Sequence, residues 1–77
     1  MLLEVVVVSA KHLLFSGRAK RVILPGEAGV FEVQPFHQPL VSRLLPGLIV
    51  VDEKAVPIRR GAVKVGRDTV TAIVETP

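Results

Sequence analysis

The sequence predicts an all-β fold, a small flattened β-sandwich or barrel of roughly eight to ten short, mainly antiparallel strands. Three observations predict it. The chain has 77 residues, enough for one domain and no more. Its hydrophobic fraction is 49%, much of it Val and Ile, whose branched side chains suit a pleated, half-buried surface. Glycine and proline punctuate it throughout, at Gly17, Pro25-Gly26, Gly29, Pro35, Pro39, Pro46-Gly47, Pro57, Gly61 and Gly66. No helix of about 11 residues fits comfortably between them.

The elements follow in order. Leu2–Ser9 is a long Val-rich strand, and His12–Ser16 is a short one. Gly17 is expected to break the chain before a third strand, Ala19–Leu24. Val30–Gln34 alternates, with Phe31 and Val33 on one side and Val30 and Glu32 on the other. Leu40–Leu44 follows a proline-bounded loop and is the only stretch that also reads as a helical turn. Leu48–Asp52 and Ala55–Arg60 form a hairpin across Asp52-Glu53-Lys54. Pro57 cannot donate to a strand ladder, so its strand is expected at an edge or with a bulge. Ala62–Val65 and Thr69–Glu75 form the last hairpin, where Gly66 is expected to supply a positive φ.

Composition narrows the function. A domain this small buries only about 60–65% of the surface that its unfolded chain exposes, so it relies on an apolar interior, a staple or a partner. Cysteine is absent, so no disulfide is available. His12 and His37 match no ligand spacing. The expectation is a thin core of Val, Leu and Ile with apolar surface left over for docking. No apolar run approaches the roughly 20 residues of a spanning helix. The N-terminus carries Glu4 where a signal peptide has basic residues, so the default location is cytoplasmic.

Chemistry is hard to find in this chain. Gly26 and Gly29 lack the Gly-Lys-Ser/Thr of a phosphate loop and read as turn residues. Ser9, Ser16 or Ser42 can be combined on paper with a histidine and an aspartate, but no nucleophile elbow is visible. Net charge is +3, with the ten Lys and Arg scattered. Solvated faces explain this better than a nucleic-acid patch, since Tyr and Trp are absent. No catalytic residue, cofactor site or metal site is assigned. The segment 24–40 is unusual, because Pro25, Pro35 and Pro39 stiffen it around His37. Such a loop costs little entropy to present to a partner, but on composition alone a histidine that caps the loop by a hydrogen bond explains it better.

Ser9-Ala10, Phe15-Ser16-Gly17, Leu24-Pro25-Gly26, Gly29, Phe31, Val33, Pro35, His37, Pro39-Leu40, Pro46-Gly47 and Gly61 occur in order. In this arrangement the chain resembles the N-terminal β-sandwich of the epsilon subunit of F-type ATP synthase. The resemblance runs over essentially the whole chain. Glu32 and Phe36 stand where the family pattern has glycines, Val30 where an acidic residue is common, and Arg60 replaces the first of a late glycine pair.

The resemblance implies a single domain over residues 1–77, with the family's C-terminal helical hairpin absent. It implies a non-catalytic rotor subunit of the central stalk, docked on the gamma subunit and the c-ring, coupling ion-driven rotation to ATP synthesis. It further implies a peripheral place at the cytoplasmic face of the bacterial inner membrane, reached only through the complex. Partner-binding positions carried over are Ser9 and Ala10 beside gamma, and Gly26, Glu27 and Val30 approaching the ring. Gln34, Phe36, His37 and Gln38 fall at the junction of the two. Leu24, Phe31, Val33 and Leu40 are assigned to the core. If the gamma-facing side is apolar, the isolated domain is expected to self-associate. A freestanding β-barrel that binds nucleic acid through its basic face is the alternative.

Overall fold

A computed structural model describes residues 1–77. It contains nine strands and no helix: β1 (Leu3–Val8), β2 (Leu13–Ala19), β3 (Val22–Gly26), β4 (Gly29–Val33), β5 (Leu40–Leu44), β6 (Gly47–Val51), β7 (Lys54–Ile58), β8 (Arg60–Val65) and β9 (Thr69–Glu75). Five of them run β2-β1-β9-β8-β5, and four run β7-β6-β3-β4. β3 joins the two runs. Its Gly26 pairs with Leu44 of β5, while Val22 and Ile23 pair with Val51 and Val50 of β6. Every pairing is antiparallel except β1 with β9.

Alternation builds the interior. β9 buries Val70, Ala72 and Val74 and exposes Thr69, Thr71, Ile73 and Glu75, as period two requires of a half-buried strand. Both runs send side chains into one cluster of 16 buried residues, all aliphatic. Phe15, Phe31 and Leu40 pack against it from its margin. The thinnest dimension is 19 Å, which fits two sheets stacked about 10 Å apart. Leu24 and Val33 are fully buried, and with Phe31 and Leu40 they have the core role that the resemblance implied.

The strand count and most boundaries agree with the reading of the sequence, and four details add to it. First, Gly17 does not interrupt β2. It pairs with Val5, and a Cβ there would sit 3.5 Å from the Phe15 ring. The break falls instead at Lys20-Arg21, where the Oδ1 of Asp52 accepts both backbone N–H groups at 3.0 and 3.2 Å. Second, Leu40–Leu44 is a strand paired with β8 along its whole length, not a helical turn. Third, Gly66 does not have a positive φ. It is small because a Cβ would come within 2.6 Å of the Thr69 hydroxyl oxygen. Positive φ occurs at Gly29, Phe36 and Asp52. Fourth, the β6–β7 turn has two residues, since Val51 pairs with Lys54. Pro57 lies on β7, an outer strand, as its missing N–H demands.

Candidate docking surfaces

The loop between β4 and β5 opens with a tight turn. His37 N–H donates to the Gln34 carbonyl oxygen at 3.2 Å, with Pro35 and Phe36 between them. Phe36 has φ 68°. Proline at the second position and a left-handed third residue define a type II turn, whose third position favours glycine. The family pattern's glycine thus has a physical reason here, and Phe36 occupies a strained site. The Phe36 N–H donates to the Arg67 carbonyl at 2.9 Å, and the Arg67 guanidinium carbon lies 5.5 Å from the ring centre. The ring remains 56% exposed.

His37 closes the same loop. Its Nδ1 lies 2.7 Å from the Gln38 carbonyl oxygen. A carbonyl only accepts, so Nδ1 carries the proton in that bond. Gln34 Nε2 donates to Glu32 Oε2 at 2.6 Å, which ties the loop entrance to β4. Gln34, Phe36, His37 and Gln38 therefore form one ordered corner against the β8–β9 turn.

The other carried-over positions lie elsewhere. Glu27 and Ala28 form the β3–β4 turn, and Gly26 and Gly29 close the hairpin there, whereas Val22 and Val33 pair at its far end. The turn and the His37 corner are separated by the length of β4, about 13 Å. Val30 is 74% exposed, one residue in from the turn. Gly26 is buried, and a Cβ on it would meet the Phe31 ring at 2.6 Å, so its smallness serves packing.

Ser9 and Ala10 turn the chain from β1 into β2. The Ser9 hydroxyl oxygen accepts from His12 N–H at 3.1 Å, and Ser9 N–H donates to the His12 carbonyl at 2.8 Å. They flank a hollow with Ala62 and Ile73, and Ala62 also lines a second hollow beside Glu27 and Ala28. The structure thus gathers Ser9, Ala10 and Glu27 around Ala62 and sets the His37 corner at the other end of the sandwich.

A feature the sequence reading did not single out lies on the outward face of the five-strand run. Register aligns Leu13, Val8, Ile73, Ala62 and Arg43 in one row across β2, β1, β9, β8 and β5. The next row holds Ser16, Val6, Thr71, Lys64 and Val41. Leu13 and Ile73 are each 63% exposed and Val41 is 76% exposed. An apolar band therefore crosses a sheet face that has no layer of this chain above it. The signal was present in Val5–Val8, which is apolar in both phases, and in Ile73 and Val41, which sit in polar phases of their strands. At one border, Arg60 Nε donates to Glu75 Oε2 at 2.7 Å, a bond that raises the Arg60 pKa further and keeps it charged.

Comparison with known proteins settles the lineage. Residues 2–76 match the family described as ATP synthase, Delta/Epsilon chain, beta-sandwich domain. ATP synthase epsilon chains of Bordetella parapertussis and Bordetella avium are each 39% identical over 79 residues, covering 96% of this chain and 56% of theirs. The chain therefore spans about half the length of these relatives. A chain in the mitochondrial ATP synthase of Euglena gracilis, solved with OSCP, F1 and the c-ring, has the same fold. Its TM-score is 0.84 at 16% identity, over 95% of this chain and 50% of that one. A chain in the central stalk and c-ring of the Tetrahymena thermophila mitochondrial ATP synthase gives 0.78 at 15% identity, over 95% and 63%. The chain belongs to the family of the ATP synthase delta/epsilon-chain β-sandwich domain.

Proposed function

We propose that this chain is a non-catalytic rotor part of an F-type ATP synthase, docking on the gamma subunit and the c-ring at the cytoplasmic face of a bacterial inner membrane. The observation that carries the reading is the family match over residues 2–76. The apolar band supports it, because a permanent interface removes that surface from water and stabilises a marginal domain by mass action. The band is the side assigned to gamma, continuous with Ser9 and Ala10. The His37 corner is assigned to the junction of gamma and the ring, and the exposed Glu27–Val30 turn to the ring. A close-packed aliphatic interior suits torque transmission, since it resists deformation.

The test is a pull-down with purified gamma subunit from the same source. Wild type binds stoichiometrically, and Ile73→Glu with Val41→Glu abolishes binding. Phe36→Gly with His37→Ala weakens gamma binding, because the corner is assigned to the junction; unchanged binding would remove the corner from the gamma contact. Failure of wild type to bind at micromolar concentration would remove the rotor assignment and leave a shared fold without a shared role.

A further inference from the structure

We propose that the cleft between β2 and the β6–β7 turn is a docking site for an extended acidic polypeptide segment. β2 and β7 are the two ends of the main strand order, so each has an unpaired outer edge. Lys54 Nζ, at the start of β7, lies 6.0 Å from the ring centre of Phe15 on β2. Between them opens a cleft of about 860 Å³.

Four cations line this cleft, Arg18, Lys20, Arg21 and Lys54, against two carboxylates. The sandwich forms three ion pairs, and Lys20, Arg21 and Lys54 belong to none of them. Arg18 approaches Glu4 only at 4.0 Å. With both acids, Asp52 and Glu53, counted, four cations against two carboxylates leave the cleft at +2, and Asp52 also serves the backbone. Its Oδ1 accepts the backbone N–H groups of Lys20 and Arg21, and its own N–H donates to the Arg21 carbonyl at 3.2 Å. This carboxylate fixes the backbone that presents two adjacent cationic side chains, so little backbone freedom is lost when a ligand binds.

The layout favours a polypeptide over other anions. The cations are spread along a strand and a facing turn, not gathered on one point as a phosphate requires. Arg18 lies near the end of β2 and Lys20 just past it, on the backbone that Asp52 holds, so the cations follow the strand and then turn with the chain. The free edge of β2 offers backbone hydrogen bonds to an extended partner. Phe15 is half-buried with Lys54 above it, so it is no stacking platform for a base. The inference does not rest on the rotor reading.

The experiment is an amide NMR titration of the 77-residue chain with a short oligo-glutamate peptide, with pyrophosphate and oligothymidylate of matched charge as comparison probes. Shifts are expected to cluster at residues 15–21 and 52–54 and to fade as salt is raised. Lys20→Glu with Arg21→Glu should weaken binding about tenfold or more, while Arg43→Glu with Lys64→Glu changes it little. The same spectra report whether each variant is folded. Shifts spread evenly over all basic residues, or none at millimolar peptide, would overturn the proposal. Tighter binding of oligothymidylate would reassign the cleft to nucleic acid, and tighter pyrophosphate binding would reassign it to a phosphate ligand.

Discussion

Phe36 and Arg67 hold each other twice: the Phe36 N–H donates to the Arg67 carbonyl at 2.9 Å, and the Arg67 guanidinium stands 5.5 Å from the centre of the Phe36 ring. The pairing ties the β4–β5 loop to the β8–β9 turn and keeps a left-handed phenylalanine in place. Left-handed backbone costs a residue with a Cβ roughly 1–2 kcal/mol, and glycine almost nothing.

That cost is separable by experiment. Phe36→Ala and Phe36→Gly both delete the ring and its interaction with Arg67. They differ in the backbone. Phe36→Gly should be the more stable of the two by about 1 kcal/mol, even though glycine carries more unfolded-state entropy. Urea denaturation of both variants measures the difference. Equal midpoints, or alanine ahead, would show that the strain is absent.

Asp52 is the second test. Its carboxylate carries two backbone N–H groups from across the sandwich, and its own φ is 52°. Asp52→Ala hands those exposed donors to water in a left-handed site and should cost about 0.5–1.5 kcal/mol. Asp52→Asn retains an acceptor and tolerates the conformation, so its loss should be well under half as large. Thermal melts of the pair decide it, and equal losses would contradict the account.

Two glycines differ in what surrounds them. A Cβ at Gly61 meets the Ile73 carbonyl oxygen and, at 2.9 Å, the Val74 Cα, both backbone of the paired strand. A Cβ at Gly26 meets chiefly the Phe31 side chain, at 2.6 Å, and touches backbone only at the Gly29 carbonyl oxygen, at 3.0 Å. Overpacking costs typically about 1–3 kcal/mol. Gly61→Ala should fall at the upper end and Gly26→Ala at the lower, measured by denaturant midpoint.

Ile73 tests the apolar band on the isolated chain. Its side chain points away from the core, so Ile73→Glu should change stability by no more than about 0.5 kcal/mol. The wild-type chain should show a scattering mass that rises with concentration, and Ile73→Glu should stay monomeric. Strictly monomeric wild type at high concentration would count against self-association through this face.

Period two and turn chemistry are local, and they were enough for most of the fold. β9 was legible because Val70, Ala72 and Val74 alternate with polar neighbours. The β3–β4 turn was legible because Gly26 and Gly29 read as turn residues, although the positive φ expected at Gly66 falls at Gly29 instead. Pro57 announced an edge by the donor it lacks. Segment 24–40 announced an ordered corner by its prolines, though not that Phe36 would be its strained residue.

What the sequence by itself determined was therefore the all-β class, roughly eight to ten short strands, an aliphatic core and the family. Only the tertiary structure decided where β2 ends, because the break at Lys20-Arg21 depends on Asp52, more than 30 residues away in sequence. It alone decided that Ser9 and Glu27 share one end while His37 lies at the other. It alone assembled Leu13, Ile73, Ala62 and Val41 into a band and Lys20, Arg21 and Lys54 into a cleft. The physical reason is the same in each case. Register and strand order bring together residues from separate strands, and a one-dimensional pattern records which face a side chain takes but not which neighbours it meets there.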